Sequence, residues 1–216
     1  MTTTVLYLSA LVGFLLVLTA DALVGNCSRL NFNTETEQCL LFDVICKGDY
    51  EVRHYDSAKW VTTNDTSFAI EMMMTQAFRR LYSYITGEND LGKEIEMTTP
   101  VVMKSPEKYF WQRGVYTMSF LLPAEYQKNP PKPTNKDVYI HEAPDMNMYV
   151  ISYGGWIVSI TDTYNSCKLA SLLDSAKAKY NRDSHYSVGY NSPMTLKERH
   201  NEVWYVVEGE PVCPSQ

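Results

Sequence analysis

The sequence predicts an α+β fold in which a curled sheet carries two helices, and three observations predict it. Two segments show the three-and-four spacing of an amphipathic helix, while the remaining apolar segments are short and alternate, or run unbroken, as strands do. The order strands, helix, strands then occurs twice, on either side of the proline-rich break "KNPPKPTNK". Aromatic residues make up 12% of the 216 positions, sixteen of them Tyr, and a sheet must curl to keep that much ring surface from water.

The chain opens with "VLYLSALVGFLLVLT", almost wholly apolar, followed by Ala20, Asp21 and Ala22, which puts small residues at the two positions a signal peptidase reads. A spanning helix needs about 20 apolar residues, and this run is shorter. Residues 1–22 are therefore expected to be a cleaved signal peptide, with an uncleaved anchor as the alternative, and the protein to be extracellular. Residues 23–39 form a Cys-containing extension, residues 40–210 the domain and 211–216 a tail.

All five cysteines, Cys27, Cys39, Cys46, Cys167 and Cys213, follow the signal, where an oxidising lumen permits disulfides. Five is odd, so at most two bridges close within the chain and one thiol is left over. Three crowd residues 27 to 46 and one ends the chain, a pattern expected to tie the termini down, with connectivity open. Asn26 ("NCS") and Asn64 ("NDT") are N-glycosylation sequons, and Asn64 is the better acceptor because Asn26 has a Cys neighbour and lies close to the cleavage site. The formal charge is −6 and no long basic run occurs, which argues against nucleic acid and against an anionic membrane surface as partners.

Beyond the extension, "CLLFDVICKGDYEVRHYDSAKWVTT" reads as short strands around the turn "KGD". In "SFAIEMMMTQAFRRLYSYITG", Ile70, Met74, Ala77, Phe78, Leu81 and Ile85 recur at helical spacing, and Gly87 is a natural C-terminal cap. "IEMTTPVVM" and "VYTMSFLLP" are strand-like. So are "DVYIHEA" and "MNMYVISYGGWIVSI", with "YGGW" expected to mark a bulge or a close backbone approach. "TDTYNSCKLASLLDSAKAKY" is helical, with Leu169, Leu172, Leu173, Ala176 and Tyr180 on one side and Lys177 and Lys179 in its last turn. "HYSVGYNSP" and "NEVWYVVEG" close the chain as strands, and the two apolar faces of "VWYVV" suit a central one.

Five pieces in order, "YEVRHYDSAKWVTT", "IEMTTPV", the "FLLP" and "PPKP" segment, "YVISYGGW" and "GYNSPMTLKERHNEVWYV", make the chain resemble the SOUL / haem-binding-protein family over residues 40–210. The resemblance implies a distorted antiparallel β-barrel of two similar halves, each with one long helix packed on strands. It implies binding of haem or a related tetrapyrrole, for carriage or sequestration, without a reaction on it. It also implies a shallow cleft along the first helix, where Met74, Phe78 and Leu81 offer a wall and Arg79 and Arg80 offer charge to propionates. Some family members carry a His where His54 stands, as a candidate axial ligand for haem iron, and others lack it. The family's cytosolic members lack a signal and most of these cysteines, so this chain departs from them in compartment.

Strand parity places Tyr50, Val52 and His54 on one face and Glu51, Arg53 and Tyr55 on the other. His54 is thus either a ligand over a cleft or a polar side chain bonded to a neighbour. Met74, Phe78 and Leu81 are equally what a helix uses to reach its core. Met72, Met73 and Met74 cannot converge on one ion, because successive helical residues diverge by about 100°. The alternative function is a binding module for another amphiphile or a protein partner, in which Glu71, Glu94 or Glu96 lines the cleft. An enzyme is not expected. His141, His185 and His200 are scattered, no HExxH or GxSxG occurs, and Cys167 reads as a disulfide partner or buried thiol.

Overall fold

The computed structural model describes residues 24–30, 32, 34–109 and 111–215. The expected signal peptide lies outside the described residues. In chain order the elements are β1 (Val24–Asn26), β2 (Gln38–Leu40), β3 (Asp43–Lys47), β4 (Glu51–Tyr55), β5 (Ala58–Ser67), α1 (Ile70–Ile85), β6 (Val101–Pro106) and β7 (Gly114–Leu121). There follow a short α2 (Ala124–Gln127), β8 (Val138–Ala143), β9 (Met146–Tyr153), α3 (Ser159–Ser175), β10 (Ser184–Gly189) and β11 (Asn201–Val206).

Strands β3 to β11 form one nine-stranded sheet in the order β3-β4-β9-β11-β10-β6-β7-β5-β8, antiparallel at every ladder. It curls into a half-barrel, the distorted barrel that the sequence predicts, and β11 sits inside it, buried on both faces. The pleat sorts each strand in two. Val61, Met103 and Phe120 project to α1, and Val52, Tyr149, Ile151, Val203 and Tyr205 to α3. Their neighbours in sequence, among them Trp60, Val102, Leu121, Val150 and Trp204, project the other way and form a cluster that neither long helix covers and that Val24, Leu30 and Phe32 of the extension pack against.

α1 buries Ile70, Met73, Ala77, Leu81, Tyr84 and Ile85. The spacing holds, but the stripe is rotated: Met73 is the core methionine, and Met74 and Phe78 flank the core half-buried. Gly87, at φ +117, makes the reversal that stops the helix. α3 is shorter than its periodicity predicts. Lys177 takes a left-handed conformation (φ 56), so Ala176, Lys179 and Tyr180 lie beyond the helix, and Tyr180 instead bridges Val207 and stacks edge-on against Tyr205. "YGGW" is a turn after β9 in which Gly155, at φ +87, presents its carbonyl to Arg199 Nε and Asn201 Nδ2.

Both termini are stapled. Cys27–Cys39 closes the extension on itself, Cys46–Cys213 ties the tail to β3, and Cys167 is the unpaired, exposed cysteine. The tail is also held by two tyrosines: Tyr50 donates to the Val212 carbonyl and Val212 N–H donates to Tyr149. Gly48 leaves room for it, since a Cβ there meets Pro214 at 2.7 Å. The Cys46–Cys213 bridge spans 167 residues against 12 for the other. Cys46→Ser with Cys213→Ser is expected to lower stability by about 2–5 kcal/mol, and by more than Cys27→Ser with Cys39→Ser. Urea midpoints of the two double variants check this, and equal midpoints contradict it.

Candidate functional site

Two apolar grooves lie on opposite faces of the sheet. The first runs along α1 and encloses about 290 Å³. Phe78 and Tyr82, one helical turn apart, stack at 5.9 Å and form its helix wall. Met97 and Val101 form the floor, the 189–193 loop with Tyr190 the far side, and Glu35 of the extension one end. No Lys, Arg or His lines it among the described residues. Its one carboxylate, Glu35, accepts bonds from the Ser192 N–H and the Thr195 hydroxyl.

Of the residues singled out on this helix, Phe78 alone lines the groove. Leu81 is fully buried in the core and Met74 packs beside it. Arg79 is exposed. Arg80 faces the β5–β8 end, with Asp65 at 3.8 Å and Asp137 at 3.9 Å, and donates to the Asn64 carbonyl. Glu71 accepts from the N–H and hydroxyl of Ser159 and so clasps the start of α3. Glu94 and Glu96 are exposed and line neither groove.

The second groove opens on the helix-free face and encloses about 330 Å³. Trp60, Trp204, Tyr55 and Met148 give it an aromatic, apolar floor, with Tyr186 and Met146 as walls. Asp56, Lys104 and His141 stand among its polar lining. Their presence follows from the pleat. Val138 and Ile140 turn toward the α1 core, so His141 and Ala143 turn away from it, and His141 lies directly across from Trp60. Likewise Met103 enters the α1 core and Lys104 does not. The Lys104 ammonium lies 5.7 Å from the Tyr186 ring.

His54 lines neither groove. It sits beside the crossings that join β4 to β5 and β8 to β9, with Nδ1 3.0 Å from Asn147 Oδ1 and Nε2 3.4 Å from Asp56 and 3.3 Å from Asp145. The Asn147 bond and the two carboxylates raise its pKa above the ordinary imidazole value, against partial burial.

Beneath the helix-free groove lies a buried ion pair that the sequence did not disclose. Arg53, 2% exposed, donates to Glu202 at 3.0 Å and to Tyr55 at 3.2 Å, under the Phe42 ring. Glu202 also accepts from the Trp204 indole at 2.7 Å and from Tyr190 at 3.1 Å, and His200 Nε2 lies 2.8 Å away. Burial opposes the Glu202 charge, but Arg53 and these donors hold its pKa below the ordinary value. On the other face His185 lies between Glu107 (2.6 Å) and Asp162 (3.0 Å). Burial alone depresses this imidazole; the two carboxylates overcome it and lift the pKa to about 9. The Ser187 hydroxyl donates to Asp162 and not to His185, so nucleophile and base are not linked.

Comparison with known proteins agrees with this architecture. The family described as SOUL heme-binding protein matches residues 37–206. Heme-binding protein 2 of Homo sapiens is 35% identical over 165 residues, 76% of this chain and 80% of that protein. Heme-binding protein 1 of Bos taurus is 29% identical over 169 residues, 76% of this chain and 87% of that protein. Among solved structures, the EcmrR C-terminal domain superposes with a TM-score of 0.51 at 10% identity, over 79% of this chain and 99% of that one, a likeness of fold alone.

Two stability measurements follow from the buried networks. Glu202→Leu leaves Arg53 with Glu51 alone (2.8 Å) and the Trp204 and Tyr190 donors without their acceptor, and is expected to cost about 3–5 kcal/mol, while Arg53→Met with Glu202→Leu costs clearly less than the two single changes added together. Additive losses refute the coupling. His185 gains its proton affinity on folding, so its contribution is complete below pH 6.5 and disappears as pH rises toward about 9. The urea midpoint is expected to fall through that window, and Glu107→Gln to move the fall to lower pH.

Proposed function

The chain belongs to the SOUL heme-binding protein family, and from that premise we propose that it is a secreted, non-enzymatic protein that binds haem or a related tetrapyrrole and carries or sequesters it. The carrying observation is that apolar, aromatic-lined grooves stay open after the fold has closed, on both faces of the sheet. A flat macrocycle needs such walls, its propionates need a cation, and its iron, which supplies the axial coordination chemistry when bound, needs an imidazole or thioether. Each of these groups lines one groove or the other.

Three observations support the remainder. The relatives are named as heme-binding proteins. His185 is held between two carboxylates with no hydroxyl nucleophile bonded to it, an arrangement that suits structure and not nucleophilic catalysis. Two disulfides and two exposed sequon asparagines, Asn26 and Asn64, suit an oxidising, glycosylating route. The alternative of a cationic amphiphile does not rest on Glu71, Glu94 or Glu96, which line neither groove; Glu35 in the α1 groove and Asp56 in the other are the carboxylates it would use.

Titration of the protein with hemin is expected to give a shifted Soret band and saturable, stoichiometric binding. Binding no tighter than to an unrelated control protein overturns the reading. Expression of the full chain in mammalian cells is expected to deliver it to the medium as a form that glycosidase shortens, and Asn64→Gln to remove most of that shift. Retention inside the cell without glycan refutes the secreted role.

A further inference from the structure

Resting on the tetrapyrrole reading above, we infer that the macrocycle sits in the helix-free groove, with His141 facing its iron and Lys104 meeting a propionate, and not in the groove along α1. Neither the histidine nor the groove is the one that the sequence singles out.

The iron ligand is the sharpest discriminator. A haem imidazole needs one ring nitrogen with a free lone pair and access to the iron. His54 lines neither groove, and although its Nδ1 bond to Asn147 leaves Nε2 a lone pair, that nitrogen faces the Asp56 and Asp145 carboxylates, which favour a proton there. His141 makes no hydrogen bond or ion pair among the described residues, is exposed, and lines the groove beside Trp60. The α1 groove is lined by no imidazole.

Charge points the same way. Asp56 at the mouth of the helix-free groove is matched by His54, whereas the Lys104 ammonium has no ion-pair partner among the described residues. That unpaired ammonium is available to a propionate. The α1 groove has no cation in its lining, where Glu35 is the one charged side chain and Arg199 offsets its charge from outside.

The walls agree. Trp60, Trp204, Tyr55 and Tyr186 offer ring faces for stacking, against Phe78, Tyr82 and Tyr190 in the other groove. Trp204 has its indole N–H satisfied by Glu202, but the buried indole N–H of Trp60 has no acceptor in the protein. A buried donor without a partner is uncommon, and an oxygen-bearing ligand or the water it brings is one way to satisfy it. At about 330 Å³ the groove is at the small end of the roughly 300–1,000 Å³ usual for ligand sites. It therefore receives part of the macrocycle and leaves the propionate edge at the rim.

The test compares hemin with metal-free protoporphyrin IX on wild type, His141→Ala, Lys104→Glu, His54→Ala and Tyr82→Ala, with folding of each variant checked by circular dichroism. All four positions are at least partly exposed, so the fold should survive. His141→Ala is expected to move the Soret band and weaken hemin about tenfold while sparing protoporphyrin IX, because only the iron bond is lost. Lys104→Glu is expected to weaken both ligands about tenfold. Tyr82→Ala and His54→Ala are expected to leave both affinities within about twofold. Both ligands should also quench the emission of Trp60 and Trp204 in a Trp111→Phe, Trp156→Phe background. Saturable hemin binding that is weakened by Tyr82→Ala and indifferent to His141→Ala and Lys104→Glu overturns this inference and leaves the tetrapyrrole function standing. Absence of saturable binding in the wild type removes the function itself, and this seat with it.

Discussion

A nine-stranded sheet has two faces to keep from water, and the two long helices cover only one of them. Because side chains alternate, every strand that feeds the helix cores also sends apolar residues the opposite way. Val61 beside Trp60, Val203 beside Trp204 and Tyr149 beside Val150 are three such pairs. Neither long helix serves the second set, so the sheet curls over it and Val24, Leu30, Phe32 and Leu40 pack against it. The curl is not closed at the crossings between β4 and β5 and between β8 and β9, and the helix-free groove opens beside them. The groove is therefore a consequence of covering a two-faced sheet with one-sided helices.

Close packing alone leaves such a face free to fill by rotation of its rings. The buried Arg53–Glu202 pair opposes that. Glu202 binds the indole of Trp204, and Arg53 binds the hydroxyl of Tyr55, so two floor residues of the groove are fixed by hydrogen bonds from below. A buried ion pair is a poor source of net stability and a good source of definition, since each misplacement of a ring strands a charge. The site is held open by polar groups that themselves do not line it.

The fold was legible because its signals are local. Helical spacing in 70–85, alternation in the strands, Gly87 as a stop and the apolar faces of "VWYVV" each need only a few neighbouring residues. What went unread depends on long-range placement. The end of α3 is set by Lys177 turning left-handed and Tyr180 pairing with Val207, neither of which the Leu169 and Leu173 spacing carries. Glu202 and Arg53 lie 149 positions apart, so their pairing had no sequence signature. Of the candidate residues, Phe78 was found on a groove, while Leu81 met the core and Arg80 met Asp65 and Asp137. His141 carried one local sign, its alternation with Val138 and Ile140 in "VYIHEA", but parity means nothing until the faces are known.

The four histidines show what an acidic chain does with imidazoles. At a formal charge of −6, carboxylates are the commonest partners available, and three of the four rings have been taken by them. His54 faces Asp56 and Asp145, His185 lies between Glu107 and Asp162, and His200 meets Glu202 while Phe32 of the extension stacks on its ring at 3.9 Å. Each of those contacts draws a proton onto the ring or turns a ring nitrogen toward a carboxylate and so away from an incoming iron. His141 escapes because β8 is an edge strand: one flank has no neighbouring strand to bring a carboxylate, and the other, β5, presents Trp60. Its availability is thus a product of topology, and the same topology that leaves it unpartnered sets it at the mouth of the aromatic groove.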